Sequence, residues 1–329
     1  MSYLLPCTAP PAYCLDAYHA LLATCGLSDE GDADYTALLF DDNDELCACG
    51  SLRGNVLKQI AVLPRSEQQG YCAEIVTELV RAAFKQGETH LFLYTKPMHR
   101  GLFSSFGFFP IVETSQMLMM ENRRHGLDDF LAALPHPDGT VGAIVCNCNP
   151  FTLGHRALIE HAAARCDALL VFVLSEDCAL FPARDRYALV RAGTAEFANV
   201  SVVQSSDYLI SRATFPAYFL KDSADPEQAR CDLDLYLFAK RIAPALNIRS
   251  RFVGEEPFDA VTRHYNERMK QLLPLLGIQV EEIPRWKNIS ASQVRRLLQE
   301  GRVQETQPLL PATTYEYCEH HFGGNADRA

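Results

Sequence analysis

From Val141 to the end of the chain, short apolar β-type runs alternate with amphipathic helical runs, and few folds accommodate that rhythm. Val141–Cys146, Ala168–Leu174, Val200–Gln204, Arg249–Val253 and Gln279–Ile283 read as strands. Between and after them, His155–Cys166, Asp185–Phe197, Glu227–Leu246, Asp259–Leu276 and Ser292–Gln299 read as helices. Strand–helix–strand repetition predicts a parallel, doubly wound sheet, because a helical crossover is what returns the chain to start a parallel neighbour. Such sheets bind ligands outside the carboxyl ends of their strands, where the strand order reverses.

The first part of the chain has a different pattern. Tyr35–Phe40, Leu46–Leu52 and Asn55–Val62 read as strands joined by hairpin turns, Gly70–Phe84 as a helix and Leu91–Tyr94 as another strand. Leu102–Ile111 then reads as a short helix running into a strand, with Gln116–Met120 as a closing strand. The prolines and glycine of the segment 135–139 mark a break. The expected division is therefore an α+β domain over 1–130 and a Rossmann-like domain over 131–329. A chain of 329 residues is long enough for two cores.

The net charge of −11 argues against nucleic acid as a main partner, since that task needs clustered cations. No apolar run approaches the ~20 residues of a membrane span. The opening stretch has no basic signal region, so the twelve cysteines read as reduced thiols of a cytoplasmic protein. The pairs Cys47/Cys49 and Cys146/Cys148 lack zinc-knuckle spacing, and no metal ligand set is assigned.

Two segments carry chemistry. Cys146-Asn147-Cys148-Asn149-Pro150-Phe151-Thr152-Leu153-Gly154-His155 joins the first strand of the second half to its first helix. Thr152 and His155, three apart at a helix start, can face one phosphate, the free N–H groups there favour anions, and Gly154 permits close approach. Asn288-Ile289-Ser290-Ala291-Ser292-Gln293-Val294-Arg295 follows the last strand. Ser290 or Ser292 can cap that helix, and Arg295 can add a bidentate charge contact.

Together these resemble the two signatures of the nucleotidylyltransferase superfamily, with Ser290 lying 135 residues after His155. The stretches Phe181–Gly193, Ser205–Asp222, Ile242–Pro257 and Tyr265–Met269 narrow the resemblance to the citrate (pro-3S)-lyase ligase family. That resemblance implies ATP-dependent acetylation by acetate of the prosthetic-group thiol on the citrate lyase acyl carrier subunit. The thiol belongs to a dephospho-CoA-derived group, and the route is through acetyl adenylate, with AMP and pyrophosphate released. It implies His155 and Thr152 as catalytic residues at the α-phosphate. It also implies an ATP site of Asn149, Phe151, Gly154, Gly254, Glu255, Ser290, Ser292 and Arg295, with Mg2+ held by ATP and water. Glu256 is the alternative acid to Glu255. Arg184, Arg186, Lys221 and Arg285 are candidate phosphate cations that otherwise read as surface charges, and His161, His264, His320 and His321 read as structural. An adenylyl- or cytidylyltransferase, an amine N-acetyltransferase and a catalytically silent carrier-binding protein are the competing readings.

The first domain resembles the GNAT acetyltransferase fold through the loop Glu67-Gln68-Gln69-Gly70-Tyr71-Cys72 and through Gly107-Phe108. The usual basic or amide position is Glu67, and the usual Tyr of the general acid is Phe103, which has no proton to give. The expectation is recognition of the pantetheine-like arm or the carrier subunit rather than amine acetylation.

Overall fold

A computed structural model describes residues 2–175, 180–209, 218–220 and 225–323. Its internal contacts divide the chain into Met1–Asp128 with Pro216–Leu237, and Asp129–Phe215 with Phe238–Ala329. Pro216–Leu237, counted from the sequence within 131–329, thus belongs with the first unit. The cause is local burial. The phenol of Tyr218 is 5% exposed and donates to the Tyr94 carbonyl at 2.9 Å. Tyr218 in turn accepts through its carbonyl from the Ser28 N–H at 2.8 Å. The helix Pro226–Leu237 packs against a strand of the same unit, Phe109–Glu113.

The first unit is built on seven strands: β1 (Tyr3–Cys7), β2 (Tyr35–Phe40), β3 (Leu46–Arg53), β4 (Val56–Val62), β5 (Phe92–Thr95), β6 (Phe109–Glu113) and β7 (Leu118–Glu121). Their order is β1-β2-β3-β4-β5-β7-β6. β1 and the helix Leu15–Thr24 were not legible in the sequence. Pro6 argues against a strand, yet β1 is an edge strand paired only to β2, the place where proline is tolerated. All pairings are antiparallel except β4 with β5, which pair through Val56↔Phe92 and Leu57↔Leu93 and no further. Beyond those two pairs the strands part and leave a gap between them. The helix Tyr71–Lys85 covers the sheet with Ile75, Val76, Leu79, Ala82 and Ala83, a stripe at helical spacing.

The second unit has five strands, β8 (Val141–Cys146), β9 (Ala168–Val173), β10 (Val200–Gln204), β11 (Ile248–Gly254) and β12 (Gln279–Ile283). They are all parallel in the order β10-β9-β8-β11-β12. The central strands are apolar throughout because helices cover both faces; Leu169 to Phe172 are 0% exposed. The expected helix Glu227–Leu246 is divided: an α-helix ends at Leu237 and a π-turn, Phe238–Ile242, follows. Among the described residues, no helix is long and apolar enough to cross a membrane, and every cysteine is a free thiol.

Candidate active site

β8 and β11 are neighbours in space, but the chain builds β9 and β10 on one side of β8 before crossing to β11 on the other. The carboxyl ends of this pair are therefore the switch point, where adjacent loops leave in opposite directions and open a crevice. Cys146 ends β8 and Gly254 ends β11, so the loops that begin at these two residues reach the crevice.

The chain enters the helix Leu153–Ala163 through a reciprocal cap. Thr152 Oγ1 accepts from the His155 N–H at 3.4 Å, and His155 Nδ1 accepts from the Thr152 N–H at 3.1 Å. A backbone N–H can only donate, so Nδ1 carries no proton and the imidazole is the Nε2–H tautomer. Burial, followed by the positive charges of Arg285 and Arg295, pushes the His155 pKa down to about 4. At neutral pH the ring is therefore an uncharged donor through Nε2. It is held from behind by the Phe151 ring, whose centroid lies 6.1 Å away at 16° to the imidazole plane. Phe151 itself is 0% exposed, so its ring positions His155 and does not face the crevice.

The depressed pKa makes a pH prediction. The acid limb of any His155-dependent activity should fall near pH 4, not near the ordinary histidine value of about 6.5. The unfolded chain takes up the proton more readily, so this group's contribution to stability is complete above about 6.5 and is lost as pH falls toward 4. Urea midpoints measured from pH 7 to 4 check the sign. His155→Asn should fall less steeply than the parent, and equal slopes would contradict the assignment.

The second helix, Ala291–Gln299, is capped by Ser290, whose Oγ accepts from the Gln293 N–H at 3.1 Å. Ser292 is the exposed one of the pair, and its Oγ accepts from Arg295 Nη2 at 3.1 Å. Arg295 Nη1 donates to the Asn149 carbonyl at 2.5 Å, so this guanidinium ties the second segment to the first. Asn149 Oδ1 accepts in turn from the Phe181 N–H at 3.2 Å. Gly154 has a further role: a Cβ there would stand 3.3 Å from the Ile289 carbonyl, so its lack of a side chain lets the two helix starts meet.

Arg186, weighed as a phosphate cation, is 0% exposed. Its Nη1 donates to the Asn147 carbonyl at 2.7 Å and to Asn147 Oδ1 at 2.5 Å, and its Nε donates to the Phe181 carbonyl at 3.0 Å. It is the clamp of the loop. Helical spacing could have shown this, since position 186 shares a face with the buried Ala183, Leu189 and Val190. Beside it, the thiols of Cys148 and Cys146 lie 3.1 Å apart. Burial pushes the Cys148 thiol well above its usual value, which leaves it neutral.

At the end of β11, Glu255 is exposed and its neighbour Glu256 turns inward, pairing with Arg285 Nη2 at 2.8 Å. Gly254 accepts through its carbonyl from Asn266 Nδ2 at 3.0 Å. Arg184 is exposed, and Lys221 lies outside the described residues. His161 pairs with Glu281 at 2.7 Å, and the Nε2 of His264 is buried with no hydrogen-bond partner among the described residues. Among the described residues, no group of three or more His, Cys, Asp or Glu could hold a metal ion. The groups gathered at the crevice, His155, Arg285, Arg295 and two capped helix starts, are donors and cations. Their chemistry suits an anionic ligand.

Residues 141–318 match the family described as citrate lyase ligase C-terminal domain. The chain is 42% identical over 303 residues to a protein of Klebsiella pneumoniae named citrate (pro-3S)-lyase ligase, covering 88% of each. It is 40% identical over 291 residues to the protein of that name from Escherichia coli K12, covering 84% of this chain and 83% of the other. The solved structure of ElaA from Escherichia coli aligns with 37% of this chain and 100% of its own at 15% identity and a TM-score of 0.34.

Proposed function

Since the chain belongs to the citrate lyase ligase family, we propose that it joins acetate to the prosthetic-group thiol on the acyl carrier subunit of citrate lyase, at the expense of ATP. In the first step an acetate oxygen attacks the α-phosphorus of ATP. The bond to the β-phosphate oxygen breaks, and acetyl adenylate and pyrophosphate form. In the second, the sulfur of the dephospho-CoA-derived group attacks the acyl carbon. The carbon–oxygen bond to AMP breaks, the thiol proton passes to solvent, and AMP leaves.

The observation that carries this reading is the neutral Nε2–H of His155 at a helix start on the switch point of a parallel sheet. Attack at phosphorus adds negative charge to the α-phosphate oxygens, and a fixed, uncharged donor stabilises that charge without having to lose a proton first. Thr152 holds the imidazole in the tautomer this needs. Ser290, Ser292 and Arg295 are assigned to the phosphates that leave as pyrophosphate. Asn149, Gly154, Gly254 and Glu255 are assigned to the walls of the ATP site, with Phe151 behind His155. Mg2+ would lower the charge of the β- and γ-phosphates; it is assigned to the nucleotide and its water, since the cationic donors here do not suit a metal.

The first unit contains a cavity of about 870 Å³ where β4 and β5 part, lined in part by Leu57, Tyr71, Tyr94 and Tyr218. We assign to it the pantetheine-like arm of the carrier. Acetyl transfer to an amine is disfavoured there. Phe103 offers no proton, and the Tyr218 hydroxyl already donates to the Tyr94 carbonyl, so its proton is engaged. The proposed compartment is the cytoplasm, where the carrier thiol stays reduced.

The deciding experiment is ATP–pyrophosphate exchange with the full-length chain, with and without acetate. Exchange that depends on acetate is the expected result. Exchange that needs a phosphate-bearing co-substrate instead would replace this reading with nucleotidylyl transfer. No exchange, with acetyl-CoA-dependent transfer in the absence of ATP, would replace it with N-acetylation.

A further inference from the structure

Arg285 lies two residues beyond the end of β12, ahead of the Ser290 cap. Its side chain is 16% exposed, and the guanidinium stands 5.4 Å from the Phe258 ring centroid. One nitrogen, Nη2, donates to Glu256 Oε2 at 2.8 Å. Glu256 is itself fixed, since its other oxygen accepts from the Phe258 and Asp259 N–H groups at 3.2 and 3.3 Å. Among the described residues, the second nitrogen, Nη1, is buried and has no partner.

A structural ion pair accounts for Nη2 and leaves Nη1 unexplained. A buried donor on a charged group is costly when unsatisfied, and folded proteins rarely keep one without a use. The surroundings indicate the use. The charge of Arg285 reaches the imidazole of His155, so the guanidinium belongs to the same crevice as the phosphate donors. The Glu256 pair orients the fork and removes its freedom to rotate, and a pre-oriented guanidinium matches the geometry of phosphate oxygens.

We propose that Arg285, oriented by Glu256 and Phe258, is a phosphate-binding residue of this crevice, with its Nη1 donating to the pyrophosphate portion of the nucleotide. The proposal deepens the reading that the crevice takes ATP and rests on it. Its test therefore separates binding from turnover. Inorganic pyrophosphate and ATP are titrated calorimetrically into the full-length chain, as wild type, Arg285→Gln and Arg285→Lys. Exchange is measured in parallel against pyrophosphate and against acetate.

Losing a charge-assisted bond should weaken pyrophosphate binding about 10- to 100-fold in Arg285→Gln. The KM for pyrophosphate should rise by a similar factor, and the KM for acetate should stay within about twofold. Arg285→Lys keeps the charge and the Glu256 partner but loses the fork, and should fall between the two. The His155 imidazole should titrate higher in Arg285→Gln, because a neighbouring positive charge is gone while Arg295 remains. Unchanged pyrophosphate affinity in both variants would overturn the proposal. So would a parallel rise of both KM values with a lowered Tm, which would mark a purely structural pair. A wild-type chain that binds pyrophosphate and ATP but shows no acetate-dependent exchange would overturn the acetylation reading and leave the Arg285 assignment standing or falling on the titrations.

Discussion

His155→Ala is expected to lower acetate-dependent ATP–pyrophosphate exchange by about a thousandfold while weakening ATP binding far less. The difference follows from when the donor matters. In the ground state the α-phosphate oxygens are served by other donors and by water. At the pentacoordinate phosphorus they carry extra charge, and a fixed N–H facing that charge typically supplies two to three orders of magnitude. Alanine also removes the acceptor for the Thr152 N–H, so part of its effect could come from a loosened helix start. His155→Asn separates the two. Its side-chain oxygen can replace Nδ1 in the cap, but nothing replaces Nε2–H. Exchange should fall about equally in both variants, with the Tm of the Asn protein closer to the parent. Near-normal exchange in the Asn variant would remove His155 from the chemistry.

The second large effect is expected at Arg186, a residue given no role in the chemistry. Arg186→Leu removes donors to the buried Phe181 carbonyl and to the carbonyl and Oδ1 of Asn147, a residue that is itself exposed. Bonds from a charged donor contribute about 1.5–3 kcal/mol each, water can replace those to Asn147, and the Phe181 carbonyl is left dry, so a loss of roughly 2–4 kcal/mol in unfolding free energy is expected. The loop 147–152 would lose the anchor that fixes Asn149 and the approach to Thr152, and exchange should fall with it. Arg186→Lys should not restore the parent, because one ammonium cannot span acceptors that the guanidinium meets through Nε and Nη1. A Leu variant with parental stability and exchange would show that the loop is held by other contacts.

Arg186 and Arg285 also show where the sequence is hard to read. Both could be surface cations or phosphate ligands, and charge alone does not choose. Folding placed Arg186 in an apolar stripe with carbonyls around it. It set Arg285 between a carboxylate and a ring with one nitrogen left over. Helical spacing marks the burial of Arg186, but its partner Asn147 is 39 positions away, and Glu256, the partner of Arg285, is 29 positions away. Pro216–Leu237 is a third case. The helical pattern from Glu227 onward was visible, but a helix does not record which sheet it covers, and Tyr218 found its partners in the first unit.

What the sequence determined by itself is whatever rests on short-range periodicity and short-range hydrogen bonding. The parallel βαβ order follows from apolar runs and helical stripes, and it already implies a crevice at the strand ends. The three-residue spacing of Thr152 and His155 at a helix start is visible in the sequence, but that Thr152 is buried and caps the helix with His155 was decided by the folded chain. Tertiary structure alone decided the state of those groups. Burial and the two arginines make His155 neutral, and the Asn149 carbonyl joins segments 146 residues apart through Arg295. Glu256, rather than Glu255, turns inward. Periodicity is carried by neighbours along the chain, whereas electrostatics and packing depend on what the folded backbone brings within a few ångströms.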